Sequence, residues 1–567
     1  MTNPAPLAGV GRLAGAAALI AALTVLSRLA GFGRTAVFTW TLGQTDLGGT
    51  YVIANAVPNV IFEIVAGGAL ASLVVPLLAG AVADGDRVTV ARTTGALLTW
   101  TLSLLVPLAL VVAVLAGPVV ELLGHGLTDV QQASGERMLR VFAPQLPLYG
   151  VGIILTGVLQ AHRRFAWPVV APLLSSLTVI AVYLGFAAVE GRLAPLTGVS
   201  RGGELLLSAG TTAGVAVLSL SLVIPFRRLG VTPVPGFRFI GDARARVRGL
   251  AVAGAVTVSA QQVALVVTLN QITYGAETNP AVFNLAQAVY LLPWAVLAVP
   301  LAVAAYPNLA AAHTAGDEAA YRATLAPAVR GVLLLSCLGA AALVGTAVPV
   351  GRFFFFDGAA AGTAAAAVAG FAPGLVGYGL FAALSRALYA RGETRTATGA
   401  IAVGFLVVPV AVLLLGAVLP VRDRVPAVAL ANSTGMLVLG ALLVVAVRRA
   451  AGVAALAGLP RAGLAGLLGG GLAAFAGWTV SRWFAAGDGT PAAPAALAQG
   501  MLSGVLVGAV FLAVAWTLDR PDVRPLLVGL PRRLRLSRRR STDVRVGGPQ
   551  EDGVPPERGD GKETVSR

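Results

Sequence analysis

The chain has 567 residues, of which 57% are hydrophobic and only 12% are charged. Soluble domains carry about 25% charged residues, so this composition excludes a soluble globular protein. The formal charge of +16 comes almost wholly from arginine, since Lys562 is the only lysine. A basic balance is typical of proteins that bind nucleic acid or a membrane surface. In so apolar a chain it favours the membrane, and no nucleic-acid partner is expected.

Apolar runs long enough to cross a bilayer recur along nearly the whole chain and predict about fourteen transmembrane helices. The first run begins near Leu13 and continues without a small-residue cleavage site, so it is interpreted as a span and not as a removable signal. The single cysteine, Cys337, excludes an internal disulfide and a cysteine-based metal site. The sequence therefore predicts an all-α polytopic membrane protein.

Arginines are unevenly distributed among the loops that join the predicted spans. Every second loop is rich in arginine, whereas the loops near Asp46 and Glu277 have none. Positively charged loops stay in the cytoplasm, so both termini are predicted to be cytoplasmic. Four arginines in the other loops weaken this contrast: Arg192, Arg201, Arg422 and Arg424. The rich loops contain Arg87 and Arg92, Arg163 and Arg164, Arg227 to Arg248, Arg391 and Arg395, and Arg448 to Arg461.

Two stretches of the chain resemble each other closely. Val141–Ala161 reads VFAPQLPLYGVGIILTGVLQA, and Gly370–Ala390 reads GFAPGLVGYGLFAALSRALYA. Phe-Ala-Pro, a leucine, Tyr-Gly and a final alanine recur at an offset of 229 residues. A second pair of stretches matches at an offset of 231 residues. Pro76, Gly85 and Asp86 of the first stretch recur in the second as Pro307, Gly316 and Asp317.

Two matches at nearly the same offset predict an internal duplication. It implies two parallel six-helix lobes around a central cavity, followed by two additional C-terminal helices. Proteins built in this way are usually transporters whose cavity opens to alternate sides of the membrane. The predicted ranges are an N-terminal lobe (1–228), a cytoplasmic connector (229–248), a C-terminal lobe (249–450), two further helices (451–519) and a cytoplasmic tail (520–567).

The tail begins with a strongly basic stretch, LPRRLRLSRRR. Such a segment next to a transmembrane helix is suited to anionic lipid headgroups. From Ser541 onward the chain is polar and rich in proline and glycine, which predicts disorder.

The sequence contains no nucleophile constellation, phosphate-binding loop or metalloprotease motif, so neither an enzyme nor a bound cofactor or metal is predicted. Ionisable groups within spans are costly and therefore mark candidate functional sites. Arg28 and Arg34 lie in the first span, in SRLAGFGR. Six residues of helix place them roughly 120° apart, so a shared cavity requires long side chains or a helix softened by Gly31 and Gly33. The alternative is that they reach the membrane interface.

The remaining candidates are one acid and four amides. Glu63 lies within a span, where a lone glutamate either pairs with an arginine or titrates, and pairing with an arginine of the first span is predicted. Asn55 and Asn59 flank a proline that interrupts the helix. Gln261 and Gln287 belong to the seventh and eighth spans, where amides bind sugars and peptides or join neighbouring helices.

The opening of the chain resembles the MurJ/MviN family, the lipid II flippases of the multidrug/oligosaccharidyl-lipid/polysaccharide exporter superfamily. The family pattern is SR-x-x-G-x-x-R, then PN, an apolar stretch, a small-residue cluster and VP. It covers about the first eighty residues and is matched by Ser27, Arg28, Gly31, Arg34, Pro58, Asn59, Gly68, Ala69, Val75 and Pro76.

The resemblance implies translocation of lipid II, an undecaprenyl-pyrophosphate-linked disaccharide-pentapeptide, to the outer leaflet of the bacterial plasma (inner) membrane. Alternating access would carry the headgroup, with the pyrophosphate held by cavity arginines. Proteins of cell-wall synthesis are implied as further partners. The residues expected to bind the substrate are Arg28, Arg34, Glu63, Asn55, Asn59, Gln261 and Gln287.

This chain also departs from the family pattern. Better-known members carry arginines and then AEGA after PN, where this sequence has Phe62, Glu63 and Gly67. An acidic residue ahead of that span is replaced by Gly49 or Thr50, and an arginine of the eighth span aligns near Ala288. Only the arginine pair of the first span is retained from the family's cationic set.

These departures leave two alternatives to a lipid II flippase open. A small-molecule or drug antiporter of the same superfamily would use a single buried acid, which Glu63 would supply. A non-transporting scaffold of the cell-wall machinery would tolerate the loss of cavity arginines. Coupling to the membrane potential or to a monovalent cation is not decided by the sequence.

Overall fold

A computed structural model describes residues 8–64, 71–124, 126–237, 243–274, 279–485 and 493–524. All regular structure in these ranges is helical. The α-helices are α1 (Ala8–Thr41), α2 (Asp46–Glu63), α3 (Ala71–Ala83), α4 (Arg87–Val114), α5 (Ala116–Leu123), α6 (Asp129–Phe142), α7 (Gln145–Ala161), α8 (Ala166–Glu190), α9 (Arg201–Leu220), α10 (Val223–Arg227), α11 (Ala243–Ile272), α12 (Asn279–Pro293), α13 (Val299–Thr314), α14 (Glu318–Phe354), α15 (Gly358–Ala390), α16 (Thr394–Val418), α17 (Arg424–Ala451), α18 (Leu459–Ala485) and α19 (Ala493–Leu518).

Helix length and composition confirm a multi-pass membrane protein. Within the described residues, 11 helices are long and apolar enough to cross a membrane. The other three predicted spans correspond to α1, to α2 with α3, and to α11, each of which is only partly described. The total of fourteen therefore stays a prediction.

The helices pack in the same way in both halves of the chain. In the first half α8 packs on α1 and on α9, and α7 packs on α4 and α9. In the second half α16 packs on α11 and α17, and α15 packs on α14 and α17. The two halves meet where α12 packs against α1 and α2. This arrangement agrees with two equivalent bundles, while the predicted boundaries at residues 228, 249 and 450 stay predictions.

The matched Gly-Asp pairs form the same turn in both halves. Gly85 has φ of +70° and Gly316 has φ of +71°, a region that glycine adopts at little cost. The aspartate after each glycine caps the following helix. The Asp86 carboxylate accepts from the backbone amide of Thr89, and the Asp317 carboxylate accepts from that of Ala320. The amides of both aspartates also donate to carbonyls five residues earlier, each at 2.9 Å. The sequence match thus extends to backbone geometry.

The longer match ends alike in both halves but begins differently. In the first half, residues 143 and 144 form a turn that separates α6 from α7. In the second half α15 continues through Pro373 without a break. At the C-terminal ends, the backbone amide of Arg164 donates to the carbonyl of Leu159 at 2.8 Å, and the backbone amide of Glu393 donates to that of Leu388 at 3.0 Å. The offset of 229 is kept at both caps.

The last two helices, α18 and α19, pack on α14 and on each other. An ion pair fixes them there, because Arg330 of α14 contacts Asp522 at 2.6 Å, just beyond α19. Part of the predicted connector, residues 238–242, lies outside the described residues. The predicted basic and disordered tail lies outside them from residue 525 onward.

Candidate functional site

Arg28 and Arg34 both line one cavity between the halves, named here the arginine cavity. Its volume is about 590 Å³, and its walls come from α1, from α8 and from the region where α12 ends. A methyl group added at Gly31 would meet no atom within 4 Å, so the cavity is open between the two arginines. The expectation that both residues share one space is therefore met, despite their angular separation on the helix.

The two arginines lack a counter-charge in the part of the chain that the structure describes. Among the described residues, Arg28 and Arg34 form no ion pair and no hydrogen bond. By contrast, Arg137 pairs with Glu204 at 2.8 Å. Both side chains are exposed on the wall of the cavity. Two guanidinium groups there without a partner among the described residues favour an anionic ligand, because like charges close together attract opposite charge.

A second space, the middle cavity, adjoins the first. Its volume is about 230 Å³, and Arg34 lines both cavities. Asn55 and Asn59 of α2 line it from the first half, as predicted, and Gln287 lines it from α12. The amide of Asn59 donates to the carbonyl of Asn55 at 2.8 Å and its oxygen accepts from the Tyr149 hydroxyl at 3.0 Å. These contacts fix the orientation of Asn59.

A cluster of hydroxyl groups forms one wall of the middle cavity. The Tyr51 hydroxyl lies 2.9 Å from that of Tyr183 and 2.8 Å from that of Thr211. The three residues come from α2, α8 and α9 and are buried. They were not predicted as site residues. Their separation along the chain leaves no local pattern that would have found them.

A third space, the amide cavity, lies in the second half and has a volume of about 210 Å³. Gln261 of α11 and Gln287 of α12 both line it, so the structure brings these two predicted residues together. Asn432 of α17 also lines it and was not predicted, although its polar context, ANSTG within an apolar run, was a usable signal. Gln287 is shared with the middle cavity. The three spaces thus form one row from arginines to amides.

Glu63 is placed differently from the prediction. It is the last residue of α2, its side chain is exposed, and it forms no ion pair among the described residues. Its neighbour Phe62 stacks on Tyr149 of α7, with ring centroids 4.2 Å apart. The predicted ion pair with Arg28 or Arg34 is not formed, because Glu63, at the end of α2, does not line the middle cavity that Arg34 shares with Asn55 and Asn59.

Comparison with known proteins identifies the family. The sequence model of the family described as "Lipid II flippase MurJ" matches residues 38–481. A probable lipid II flippase MurJ from Synechocystis is 28% identical over 224 residues, which are 39% of this chain and 41% of that protein. The lipid II flippase MurJ from Burkholderia cenocepacia is 27% identical over 404 residues, which are 69% of this chain and 75% of that protein.

Solved structures support the same fold. The inward closed conformation of a lipid II flippase MurJ matches with a TM-score of 0.68 and 18% identity, covering 88% of this chain and 99% of that one. An inward-facing multidrug resistance MATE transporter of the MOP superfamily matches with a TM-score of 0.62 and 14% identity, covering 77% of this chain and 98% of that one. These two structures show the fold, and the sequence match to the family model shows the family. This chain belongs to the lipid II flippase MurJ family.

Proposed function

We propose that this protein moves lipid II from the cytoplasmic to the outer leaflet of the bacterial plasma membrane. The observation that carries the proposal is the pair of unpaired arginines, Arg28 and Arg34, at one end of a polar row of cavities between the halves. A charged headgroup cannot cross about 30 Å of hydrocarbon unaided. A cationic, hydrated path through the protein removes most of that barrier.

The chemistry of the cavities suits the parts of this substrate. Arginine guanidinium groups bind phosphate oxygens through two parallel hydrogen bonds, so Arg28 and Arg34 would hold the pyrophosphate. Hydroxyl and amide groups of the middle cavity would contact the uncharged remainder of the headgroup. The lipid tail would stay in the bilayer, and rocking of one half against the other would change the side of access. Transport of this kind leaves the substrate chemically unchanged.

The proposed orientation places both termini in the cytoplasm. The Gly-Asp turn before α4 and the ends of α7 and α15 carry Arg87, Arg163 and Arg391, which agrees with the positive-inside rule. Labelling of single cysteines at Asp84 and Thr197 with an impermeant reagent tests this orientation. The cysteine at position 84 should react only after permeabilisation, and the cysteine at position 197 should react in intact cells.

A flipping assay tests the function directly. The full chain is expressed in cells depleted of their own flippase, and cleavage of lipid II is scored with an enzyme added outside the membrane. The wild type should restore cleavage and Arg28→Ala should lose it. The matched control is Arg386→Ala, because Arg386 also belongs to a transmembrane helix but donates to its own helix, to the carbonyl of Ala382 at 2.6 Å.

Two results would contradict the proposal. One is absence of cleavage by the correctly inserted wild type. The other is full activity of Arg28→Ala, which would mean that the cavity arginines do not hold the substrate. A protein that acts as a scaffold of cell-wall synthesis would give the first result and would still capture its protein partners.

One observation favours the antiporter as a second candidate. Glu63 forms no ion pair among the described residues and lies within electrostatic range of Tyr149 and Tyr378. A lone acid of this kind is the group that a cation-coupled exporter would titrate. Uptake and efflux of a fluorescent cation, compared between wild type and Glu63→Gln, would reveal such an activity.

A further inference from the structure

The amide cavity lies within the second half, between α11, α12, α15, α16 and α17. Four of the side chains that line it are carboxamides: Gln261, Gln262, Gln287 and Asn432. No lining residue carries a charge, and two hydroxyl-bearing residues, Thr268 and Tyr378, complete the wall together with apolar side chains. A carboxamide both donates and accepts hydrogen bonds, so this cavity suits an uncharged ligand with paired donors and acceptors.

Gln262 gives the cavity an unused hydrogen-bond acceptor. Its side chain is almost fully buried, with an exposed fraction of 7%. Its Oε1 atom has no hydrogen-bond partner among the described residues. A buried acceptor without a partner destabilises the folded protein. The Oε1 atom of Gln262 therefore does not stabilise the fold, and a donor group of a ligand would supply the missing hydrogen bond.

Neighbouring amides on the same helix show what a structural role would look like. Gln271 accepts from Arg424 of α17 at 3.1 Å, and Asn270 donates to the carbonyl of Leu122 at 3.0 Å. Each of these bonds joins α11 to another part of the protein. Gln261 and Gln262 form no such bond with the described residues. The two glutamines thus differ from amides that hold helices together.

The cavity also adjoins the proposed path of the headgroup. Gln287 lines both the amide cavity and the middle cavity, and Arg34 lines both the middle cavity and the arginine cavity. A ligand with a doubly charged end and an uncharged, amide-rich end could therefore lie along the whole row. Its charge would meet the arginines while its amides met the carboxamides.

We propose that the amide cavity is the subsite that recognises the uncharged acetamido and peptide groups of the lipid II headgroup. This inference rests on the proposed function. It distinguishes the complete headgroup from a bare polyprenyl pyrophosphate, which the arginines alone would bind. The residues that carry this discrimination are Gln262 and Asn432, with Gln261 and Gln287 beside them.

Binding of two lipids to the full chain in nanodiscs tests the subsite. Lipid II and undecaprenyl pyrophosphate are titrated by native mass spectrometry into wild type, Gln262→Leu with Asn432→Leu, and Arg28→Ala. The double variant should lose about tenfold in affinity for lipid II and keep its affinity for undecaprenyl pyrophosphate, since about two hydrogen bonds are lost. Arg28→Ala should weaken the binding of both lipids alike.

Folding is checked separately by the thermal melting of each variant. Because the Gln262 acceptor is unpartnered, Gln262→Leu alone should melt no lower than wild type. If the double variant fails to fold, the binding of both lipids is measured with Gln262→Leu instead. An unchanged ratio of the two affinities in a folded variant would overturn the subsite. If the wild type bound neither lipid, the proposed function itself would fail.

Discussion

The side-chain amide of Gln44 donates from Nε2 to the carbonyl oxygen of Phe354 at 3.1 Å, across the boundary between the two halves. Its Oε1 accepts from the backbone of Phe356 at 3.0 Å. Trp40 adds a longer contact from its indole to the carbonyl of Phe353, at 3.4 Å. The end of α1 and the residues that follow it therefore hold the end of α14 by its backbone. This contact joins the two halves where both helices finish.

Gln44→Ala should favour the conformation in which this end is open. Two hydrogen bonds are lost, each worth about 1 kcal/mol, and a shift of that size changes the ratio of two conformations by about tenfold or more. Spin labels at Thr197 and Ala359, which are exposed on opposite halves, report the change as a longer distance in electron resonance measurements.

Gln132→Ala is the matched control for this variant. Its amide donates to the carbonyl of Gly117 at 2.8 Å, within the first half, so the same kind of bond is lost without crossing the boundary. The distance distribution should not change in this control. Equal distributions in Gln44→Ala and wild type would show that Gln44 does not hold the halves together.

The cap that ends the two related helices differs at one residue. Arg163 has φ of +58° at the end of α7, and Gly392 has φ of +76° at the equivalent place after α15. A side chain in this left-handed region costs about 1–2 kcal/mol. Arg163→Gly should therefore raise the melting temperature in detergent, and Gly392→Ala should lower it. Arg164→Gly, next to the strained residue, should give no gain, and a gain there equal to that of Arg163→Gly would refute the strain explanation.

The duplication and the turns were predictable because they depend on local chemistry. Gly-Asp specifies a left-handed residue followed by a helix cap, and both copies carry it at Gly85-Asp86 and Gly316-Asp317. A costly charge within a span likewise identified Arg28 and Arg34 without knowledge of the fold.

The rest of the site depends on how helices rotate against one another. Tyr51, Tyr183 and Thr211 meet from three helices, and no spacing along the chain encodes their contact. The same reason explains the failed pairing of Glu63. It belongs to the same helix as Asn55 and Asn59, which share the middle cavity with Arg34, but at the end of α2 it does not line that cavity.

Arg330 should be the residue that holds the two C-terminal helices. Its guanidinium contacts both oxygens of Asp522, at 2.6 and 2.9 Å, and donates to the carbonyl of Ala457 at 2.7 Å. Arg330→Ala would leave a nearly buried carboxylate with only the longer contact to Arg461, at 3.5 Å. Removing one partner of a buried ion pair costs up to about 3–5 kcal/mol. Melting in detergent should show a large loss. Arg422→Ala should show almost none, since that side chain is 85% exposed and lies 3.7 Å from its partner.

Asp519 and Asp522 should respond to substitution in opposite directions. Burial raises the pKa of Asp519, and its neighbour Asp522 adds to that effect. Burial acts on Asp522 as well, but the hydrogen bond and charge of Arg330 outweigh it and lower the pKa of Asp522. Arg461, 2.8 Å from Asp519, opposes the rise in the pKa of Asp519 without outweighing it. Compared with the unfolded chain, the folded protein therefore binds a proton more tightly at Asp519 and less tightly at Asp522.

At pH 7, Asp519→Asn should therefore raise the melting temperature and Asp522→Asn should lower it. The stability that Asp522 contributes is present above its unfolded pKa of about 3.9 and is lost as the pH falls through its lower folded value. Ionised Asp519 lowers the free energy of unfolding at neutral pH. This destabilisation disappears as the pH falls from the raised pKa of Asp519 in the folded protein to its pKa in the unfolded chain, about 3.9. The two variants should converge in strongly acidic solution, and equal melting temperatures at pH 7 would contradict these assignments.

Glu63→Gln separates the two transport activities that the fold allows. The substitution keeps the size and polarity of the side chain but removes its charge, and no ion pair among the described residues is lost with it. If the arginines alone hold the substrate, external cleavage of lipid II should stay within about twofold of wild type, because a carboxylate near an anionic headgroup gives no favourable interaction. A cation-coupled cycle would instead stop, since its titrating group would be gone. Loss of cleavage in a correctly inserted Glu63→Gln protein would therefore assign coupling, and not substrate binding, to this residue.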